Sequence, residues 1–370
     1  MSPRAPLKTD LLVVGLGPGG GAAASAAAAR GLEVIAVERK KTLGAPVQCA
    51  EFIPLPLSPH AQGDGVLVQR ITNMKSVLPS GKAHITDFPG LMIDRAAFDA
   101  ALARKAEAAG ARLCLESRLT ALDIAARTAQ IDTPEGRLDI EYRLLVAADG
   151  AHSRVAALTG LPPLATVNTR QYTVALLGAP YAATDIWLSP AYPGGYAWLF
   201  PKGAFANLGL GADKRFTADL KAPLDALHRQ LVEEGRVGAD ILHHTGGALP
   251  VGGMRERLRC DNILFVGDAA GFTHPITGGG IAAAVMSGTM AGEAAAAFLM
   301  EGDGEALDDY DTELRDQFAG TLGRAVARRR MLDRYWNSEA AREDALHRQG
   351  WIAFPDYFAP DDFKADAAVG

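Results

Sequence analysis

The chain opens on an uninterrupted apolar run, residues 10–15 (DLLVVG), with none of the alternation that marks a half-exposed strand. That pattern predicts a strand buried on both faces, as in a parallel sheet. Residues 17–30 follow as an Ala-rich helix with Gly31 just past its end, and residues 33–38 (EVIAVE) predict a second strand. The start is therefore a β-α-β unit. Residues 39–65 are punctuated by Pro and Gly and predict a long functional loop, and residues 66–89 predict strands. Residues 95–109 predict a helix closed by Gly110. Residues 112–148 alternate in strand fashion around a turn at Pro134-Glu135-Gly136, and residues 144–148 are again wholly apolar. The middle changes character: residues 170–213 carry aromatics in short strand-like runs, 218–234 predict a helix and 240–250 a strand. Residues 262–266 (NILFV) then restore a buried strand before an Ala-rich helix.

Residues 281–300 pass as a candidate membrane span. Glu293 lies inside them, however, and Ala and Gly dominate over Leu and Ile, which favours a core helix packed closely on a sheet. The pattern as a whole predicts an α/β protein: a Rossmann-type domain with an inserted, mainly antiparallel β-sheet domain and a short helical tail. The first domain takes residues 1–65, 90–160 and 255–320, the substrate domain 66–89 and 161–254, and the tail 321–370.

With 370 residues, two interlocked domains fit better than one core. The net charge of −6 has no like-charged block behind it, which argues against a nucleic-acid partner. Three cysteines, Cys49, Cys114 and Cys260, are too few and too odd in number for a disulfide framework and point to a reducing compartment. No apolar stretch precedes the first strand, so no signal peptide is expected and a cytoplasmic protein is.

Chemistry enters at Gly15-Leu16-Gly17-Pro18-Gly19-Gly20, between the first strand and its helix. Gly15 suits a tight turn, Gly17 lets backbone approach a pyrophosphate, and Gly20 lets helix and strand pack closely. The helix start offers free N–H groups and the positive end of its dipole to phosphates. Glu38, closing the second strand, suits a ribose diol and repels a 2′-phosphate. A second loop, Gly267-Asp268-Ala269-Ala270-Gly271, follows the NILFV strand and leads to Pro275-Ile276-Thr277-Gly278-Gly279-Gly280-Ile281. An acid after a strand suits ribityl hydroxyls, and a glycine-rich helix start suits the N1/O2 edge of a reduced flavin. The two loops together point to FAD.

These residues, with Ala148-Asp149-Gly150-Ala151-His152-Ser153 and Asp94-Arg95-Ala96-Ala97-Phe98, resemble the para-hydroxybenzoate hydroxylase-like flavoproteins over about residues 8–300. Within them the chain looks most like the geranylgeranyl reductase family. The segments Gly44-Ala45-Pro46-Val47-Gln48-Cys49-Ala50-Glu51 and Tyr196-Ala197-Trp198-Leu199-Phe200-Pro201 carry this, together with Gly271 and Gly279 where hydroxylases usually place His and Gln. The resemblance implies FAD contacts at Gly19, Glu38, Cys49, Ala50, Arg95, Leu119, Asp268, Gly280 and Ile281. It also implies saturation of C=C bonds in an isoprenoid or other lipophilic substrate by hydride from reduced flavin. No second GxGxxG occurs, so the reducing equivalents would come from NAD(P)H bound transiently or from another external donor. The alternative in the same superfamily is a monooxygenase or halogenase, which the closeness of Tyr196-x-Trp198-x-Phe200-Pro201 to a halogenase Trp-x-Trp-x-Ile-Pro keeps open. A flavin carrier without catalysis is a third reading.

Cys49 sits in the loop that passes the flavin in such proteins, where a thiol could tune the ring; a free Cys is otherwise a small buried hydrophobe. Tyr196 and Trp198 alternate, so they share a face and either wall a substrate cavity or pack a sheet. His274 could donate a proton. No metal-ligand spacing occurs, His243-His244 included. In the tail, Arg328-Arg329-Arg330 with Tyr335, Trp336, Trp351, Phe354, Tyr357 and Phe358 either hold a membrane surface peripherally or pack over the cavity mouth.

Overall fold

The computed structural model describes residues 6–179 and 181–360; the tail beyond 360 lies outside them. The opening unit is β1 (Leu7–Val14), α1 (Pro18–Ala29) and β2 (Val34–Val37). The expected long loop holds β3 (Phe52–Pro54) and a 3-10 turn at Leu55–Ala61. β4 (Leu67–Val77) and β5 (Ala83–Ile93) form a hairpin, and α2 (Arg95–Ala108) begins at Asp94, whose carboxylate accepts from the Ala97 N–H at 2.8 Å. Then come β6 (Arg112–Cys114), β7 (Arg118–Asp123), β8 (Thr128–Thr133), β9 (Gly136–Ala147) and α3 (Arg154–Leu158). The middle is β10 (Thr166–Leu176), β11 (Ala183–Trp187), β12 (Ala197–Lys202), β13 (Phe205–Ala212), α4 (Lys221–Glu233) and β14 (Val237–Pro250). β15 (Arg259–Cys260), β16 (Ile263–Phe265), α5 (Gly267–Ala270), α6 (Ile281–Ala296), α7 (Ala306–Asp333) and α8 (Asp344–Gly350) follow.

Among the described residues these strands build two eight-stranded sheets. In the first, β16, β9, β1, β2 and β6 run parallel in that order, with β15 antiparallel at one edge and β7–β8 folded off β9. β2 and β16 are buried end to end, and β1 and β9 over their last four residues, as those unbroken apolar runs require. The second sheet runs β14-β10-β13-β12-β11-β4-β5-β3 and is antiparallel except where β11 joins β4. β3 therefore pairs with β5 in the second sheet, although residues 52–54 read from sequence as part of the first domain's loop.

α6 packs closest on α1 rather than on a sheet, which corrects the sequence expectation. A Cβ at Gly288 would stand 2.1 Å from the Gly19 carbonyl oxygen, and one at Gly292 2.5 Å from that of Ala23. Two helix backbones meet here, so only glycine fits. Among the described residues Ile281–Glu301 is the one helical stretch long and apolar enough to cross a membrane. The tail is also packed. Arg328 and Arg329 are buried, with Arg328 donating to the Tyr357 carbonyl at 3.0 Å and Arg329 to Asp213 at 2.8 Å. Trp336, Trp351, Phe354 and Tyr357 are buried as well, so most of this basic and aromatic set serves packing and not an exposed surface.

Candidate active site

Two cavities meet at Gln48, which lines both. The polar one, about 400 Å³, runs over the carboxyl ends of β1 and β2, where an open parallel sheet binds ligands. Gly15, Gly17, Glu38, Arg95, Leu119 and Asp268 all face it. Gly15 sits at φ +98°, and a Cβ there would press within 2.4 Å of the Ala148 carbonyl oxygen. Gly17 has open space where a Cβ would stand, on the cavity side, and it caps α1 without any side chain competing for the helix N–H groups. Gly19 and Gly20 do not line the cavity. A Cβ on Gly20 would strike the Gly15 oxygen at 1.8 Å, and one on Gly19 would come within 3.1 Å of Ala284 in α6.

Glu38 braces this loop. Its carboxylate accepts from the Leu16 N–H at 2.9 Å and from the Lys40 N–H at 3.0 Å. Asp149 binds the Val155 N–H with one oxygen at 3.0 Å, while its other oxygen is buried without a protein partner. Such an oxygen is costly unless a ligand satisfies it. Arg95 forms a forked pair with Asp99 at 3.1 and 2.9 Å; burial works against its charge, but Asp99 and Cys49 together more than offset burial, so its pKa is raised. Burial pushes the Asp268 carboxyl up, opposed by the Thr273 hydroxyl that donates to it.

The second cavity, about 520 Å³, lies between the second sheet, the start of α6 and the middle of α7. Cys49, Ala50, Tyr196, Trp198, Gly280 and Ile281 line it, with Met74, Ile186 and Leu249 among the apolar walls. No Lys or Arg is on its lining. Its one carboxylate, Glu51, is buried and paired with Lys202 at 2.9 Å.

The Cys49–Glu51 turn is pinned from three strands. The Trp198 Nε1–H donates to Gln171 Oε1 at 3.1 Å, and Gln171 Nε2–H donates to the Cys49 carbonyl at 3.0 Å. Asn207 donates to the Ala50 carbonyl at 3.2 Å and to Glu51 at 2.9 Å, and the Arg95 N–H donates to Glu51 at 2.9 Å. Glu51 holds φ +69°, an uncommon value for a side-chain-bearing residue that this lattice of bonds maintains. Burial pushes the Cys49 thiol up, more than Arg95 pulls it down, so the sulfur keeps its proton at neutral pH. The Tyr196 hydroxyl donates to the Thr277 carbonyl at 2.5 Å, tying the wall to the glycine-rich loop. Burial lowers His274 to about 4, and its Nδ1 accepts from the Ile276 and Thr277 N–H groups at 3.3 and 3.2 Å. It holds a turn as a neutral ring and carries no charge to donate.

Sequence reading missed Lys202, Asn207 and Gln171, which no local motif marks: each meets its partner across more than 100 residues. Glu51 stood in a quoted motif and Trp351 among the tail aromatics, but the partners that give them their place, Lys202 and Ser76, are as distant.

This fold, with a glycine-loop groove beside an apolar chamber, is that of a flavin-dependent oxidoreductase. The geranylgeranyl reductase catalytic domain matches residues 166–249. Digeranylgeranylglycerophospholipid reductase 2 of Methanopyrus kandleri is 32% identical over 366 residues, covering 93% of this chain and 91% of its own. A second reductase of that name from the same organism, number 1, is 35% identical over 335 residues, covering 84% and 88%. The chain belongs to the geranylgeranyl reductase family. The crystal structure of a geranylgeranyl bacteriochlorophyll reductase-like protein from Thermoplasma acidophilum superposes with TM-score 0.83 at 24% identity, covering 95% of this chain and 93% of that one. A myxobacterial chondrochloren halogenase shares the fold at TM-score 0.70 and 19% identity, covering 91% and 86%.

Proposed function

We propose that this reductase saturates C=C bonds in the isoprenoid chain of a lipid. The observation that carries this is the apolar cavity, free of cationic side chains, that shares Gln48 as a wall with the cofactor groove. An uncharged hydrocarbon suits it, whereas a phosphate inside it would have no countercharge.

The groove fits FAD. Gly17 leaves room for a pyrophosphate against the start of α1, Glu38 stands at the ribose end, and the unpartnered Asp149 oxygen awaits a donor such as a ligand hydroxyl. Arg95, Leu119 and Asp268 would flank the middle of the cofactor, and Cys49, Ala50, Gly280 and Ile281 its ring. Bound and reduced by its donor, the flavin would supply the two reducing equivalents that saturating a double bond consumes, returning to FAD. The protein's part is to place and to shield. Trp198 and Tyr196 wall the chamber, and their apolar faces exclude water from the reacting carbons. Trp198 and Gln171 fix the Cys49 carbonyl, and Cys49, its thiol protonated, lines the same chamber. Residues 1–65, 90–160 and 255–320 would act as the FAD-binding part, 66–89 and 161–254 as the substrate part and 321–370 as a helical cover. NAD(P)H or another external donor would refill the flavin. Cytoplasmic residence with peripheral contact at the membrane that holds the lipid belongs to the same reading.

The test is anaerobic. The flavoprotein is reduced chemically, then offered either a prenyl lipid or oxygen, and flavin reoxidation is followed by absorbance. Faster reoxidation by the prenyl lipid, with a saturated product, is expected. Fast reoxidation by oxygen alone would move the assignment to a monooxygenase or halogenase.

A further inference from the structure

Two side chains separate the apolar cavity from a second, smaller void. Tyr196 and Trp351 border both spaces. Their rings meet edge to face, 4.9 Å between centroids at 62°. The void behind them measures about 20 Å³; Leu188, Ile276, Leu332 and Trp336 are its apolar walls, with Arg329, Asp333 and His347 also on its lining.

The partition is rigid. Tyr196 is tied to the Thr277 carbonyl, as described above. Trp351 is 3% exposed, and its Nε1–H donates to the Ser76 hydroxyl at 3.0 Å; Ser76 itself is fully buried on β4. An indole held by packing on its faces and a hydrogen bond at its edge cannot swing aside without leaving a buried donor and acceptor unpaired. Trp351 follows α8 and belongs to neither sheet, so the wall is separable in sequence from the cofactor groove.

We propose that Trp351 is a specificity-determining residue: it stops the distal end of the isoprenoid chain and so sets the chain length the cavity accepts. The inference rests on the isoprenoid reading given above. With no Lys or Arg on the lining, a prenyl chain in the cavity has no charged anchor there. What registers it is its shape and where it collides. Removing the indole would join the void to the cavity and lengthen the space along the chain.

The experiment uses the full chain loaded with FAD, reduced anaerobically with dithionite. It is offered a series of prenyl alcohols, from geraniol through farnesol and geranylgeraniol to geranylfarnesol, and saturated products are quantified by mass. The wild-type protein should show a sharp fall in kcat/KM beyond a limiting length. Trp351→Ala should move that limit at least one isoprene unit further, changing the ratio of kcat/KM for longer over shorter substrate by about tenfold or more, the low end for one methylene in an apolar pocket. Trp351→Phe, which keeps most of the ring, should keep the wild-type limit. If Trp351→Ala fails to hold flavin, Trp351→Leu and Ser76→Ala, which leave smaller holes, should show the same shift in weaker form. A flavin-loaded variant with a shortened side chain and an unmoved length limit overturns the gauge alone. A wild-type protein that reduces no prenyl alcohol or lipid overturns the substrate reading and the gauge with it.

Discussion

At the scale of single residues, the site is built by side chains that hold other groups in place. Trp198 shows this. Its ring walls the cavity, and its Nε1–H orients Gln171, whose amide in turn holds the Cys49 carbonyl. Trp198→Phe keeps an aromatic wall but strands the Gln171 oxygen, a loss of about 1–3 kcal/mol for a buried unpaired acceptor. That variant should fold and bind FAD, with a shifted flavin absorption band and slower anaerobic turnover because the Cys49 turn is released. Trp198→Ala removes a buried aromatic outright at about 3–5 kcal/mol and should lower the unfolding midpoint far more. Spectra and turnover in Trp198→Phe that match the wild type would reduce this residue to packing. The loop glycines were legible in the sequence because their requirements are local: a φ of +98° at Gly15, or a backbone that must be bare at Gly17, leaves its mark within a few residues. Cys49 was read instead from the likeness of its segment to a family. Gln171 was not legible, because an amide in a strand looks the same whether it faces solvent or holds a loop 122 residues away.

At the scale of elements, the segment from His274 to Ile281 must deliver a helix start to the edge of the cofactor groove. Its shape comes from its own turn: the His274 N–H donates to the Gly279 carbonyl at 2.9 Å, the Gly278 N–H donates to the His274 carbonyl at 2.9 Å, and the His274 ring accepts two further N–H groups. The motif was visible in the sequence, but the neutral ring that organises it was not, since burial supplies the reason. The pH dependence follows from that burial. His274 titrates near 4 in the folded protein against an ordinary 6.5, so the unfolded chain takes up the proton first as pH falls. Its contribution to stability is complete above 6.5 and is lost as pH drops from there toward 4. At about 1.4 kcal/mol per pH unit this is at most about 3.5 kcal/mol. His274→Asn supplies an uncharged acceptor in place of Nδ1 and should abolish that part of the acid sensitivity. Other buried groups also make stability depend on pH, His347 in the same sense and Asp149 and Asp268 in the opposite one. The quantity to measure is therefore the difference in urea midpoint between wild type and His274→Asn, at pH 7 and at pH 4.5. A difference that does not change with pH would mean that the ring titrates normally.

At the scale of the molecule, the alternation of parallel and antiparallel patterns made both sheets legible, while the joint between them was not. β3 lies in what reads as a loop, and the α6 glycines meet α1 and not a sheet, because partners distant in sequence leave no periodic trace. The joint itself is charged. Lys202 on β12 reaches Glu51 at 2.9 Å and Asp94 at 3.3 Å, so one ammonium links the second sheet to the Cys49–Glu51 turn and to the cap of α2. A lysine in a strand reads as solvent-facing, yet this side chain is only 19% exposed and Glu51 only 4%. Removing one member of a buried pair leaves the other charge uncompensated, at about 3–5 kcal/mol, whereas removing both leaves no stranded charge. Lys202→Met should therefore destabilise the protein by roughly that amount, and it should weaken FAD binding because Glu51 also receives the Arg95 N–H. Adding Glu51→Gln to Lys202→Met should restore part of the loss, giving a coupling of about 1–3 kcal/mol in a double-mutant cycle read by urea denaturation. Additive losses in that cycle would show that Lys202 is carried by Asp94 and packing, and the charged joint would then not be what holds the cofactor turn against the second sheet.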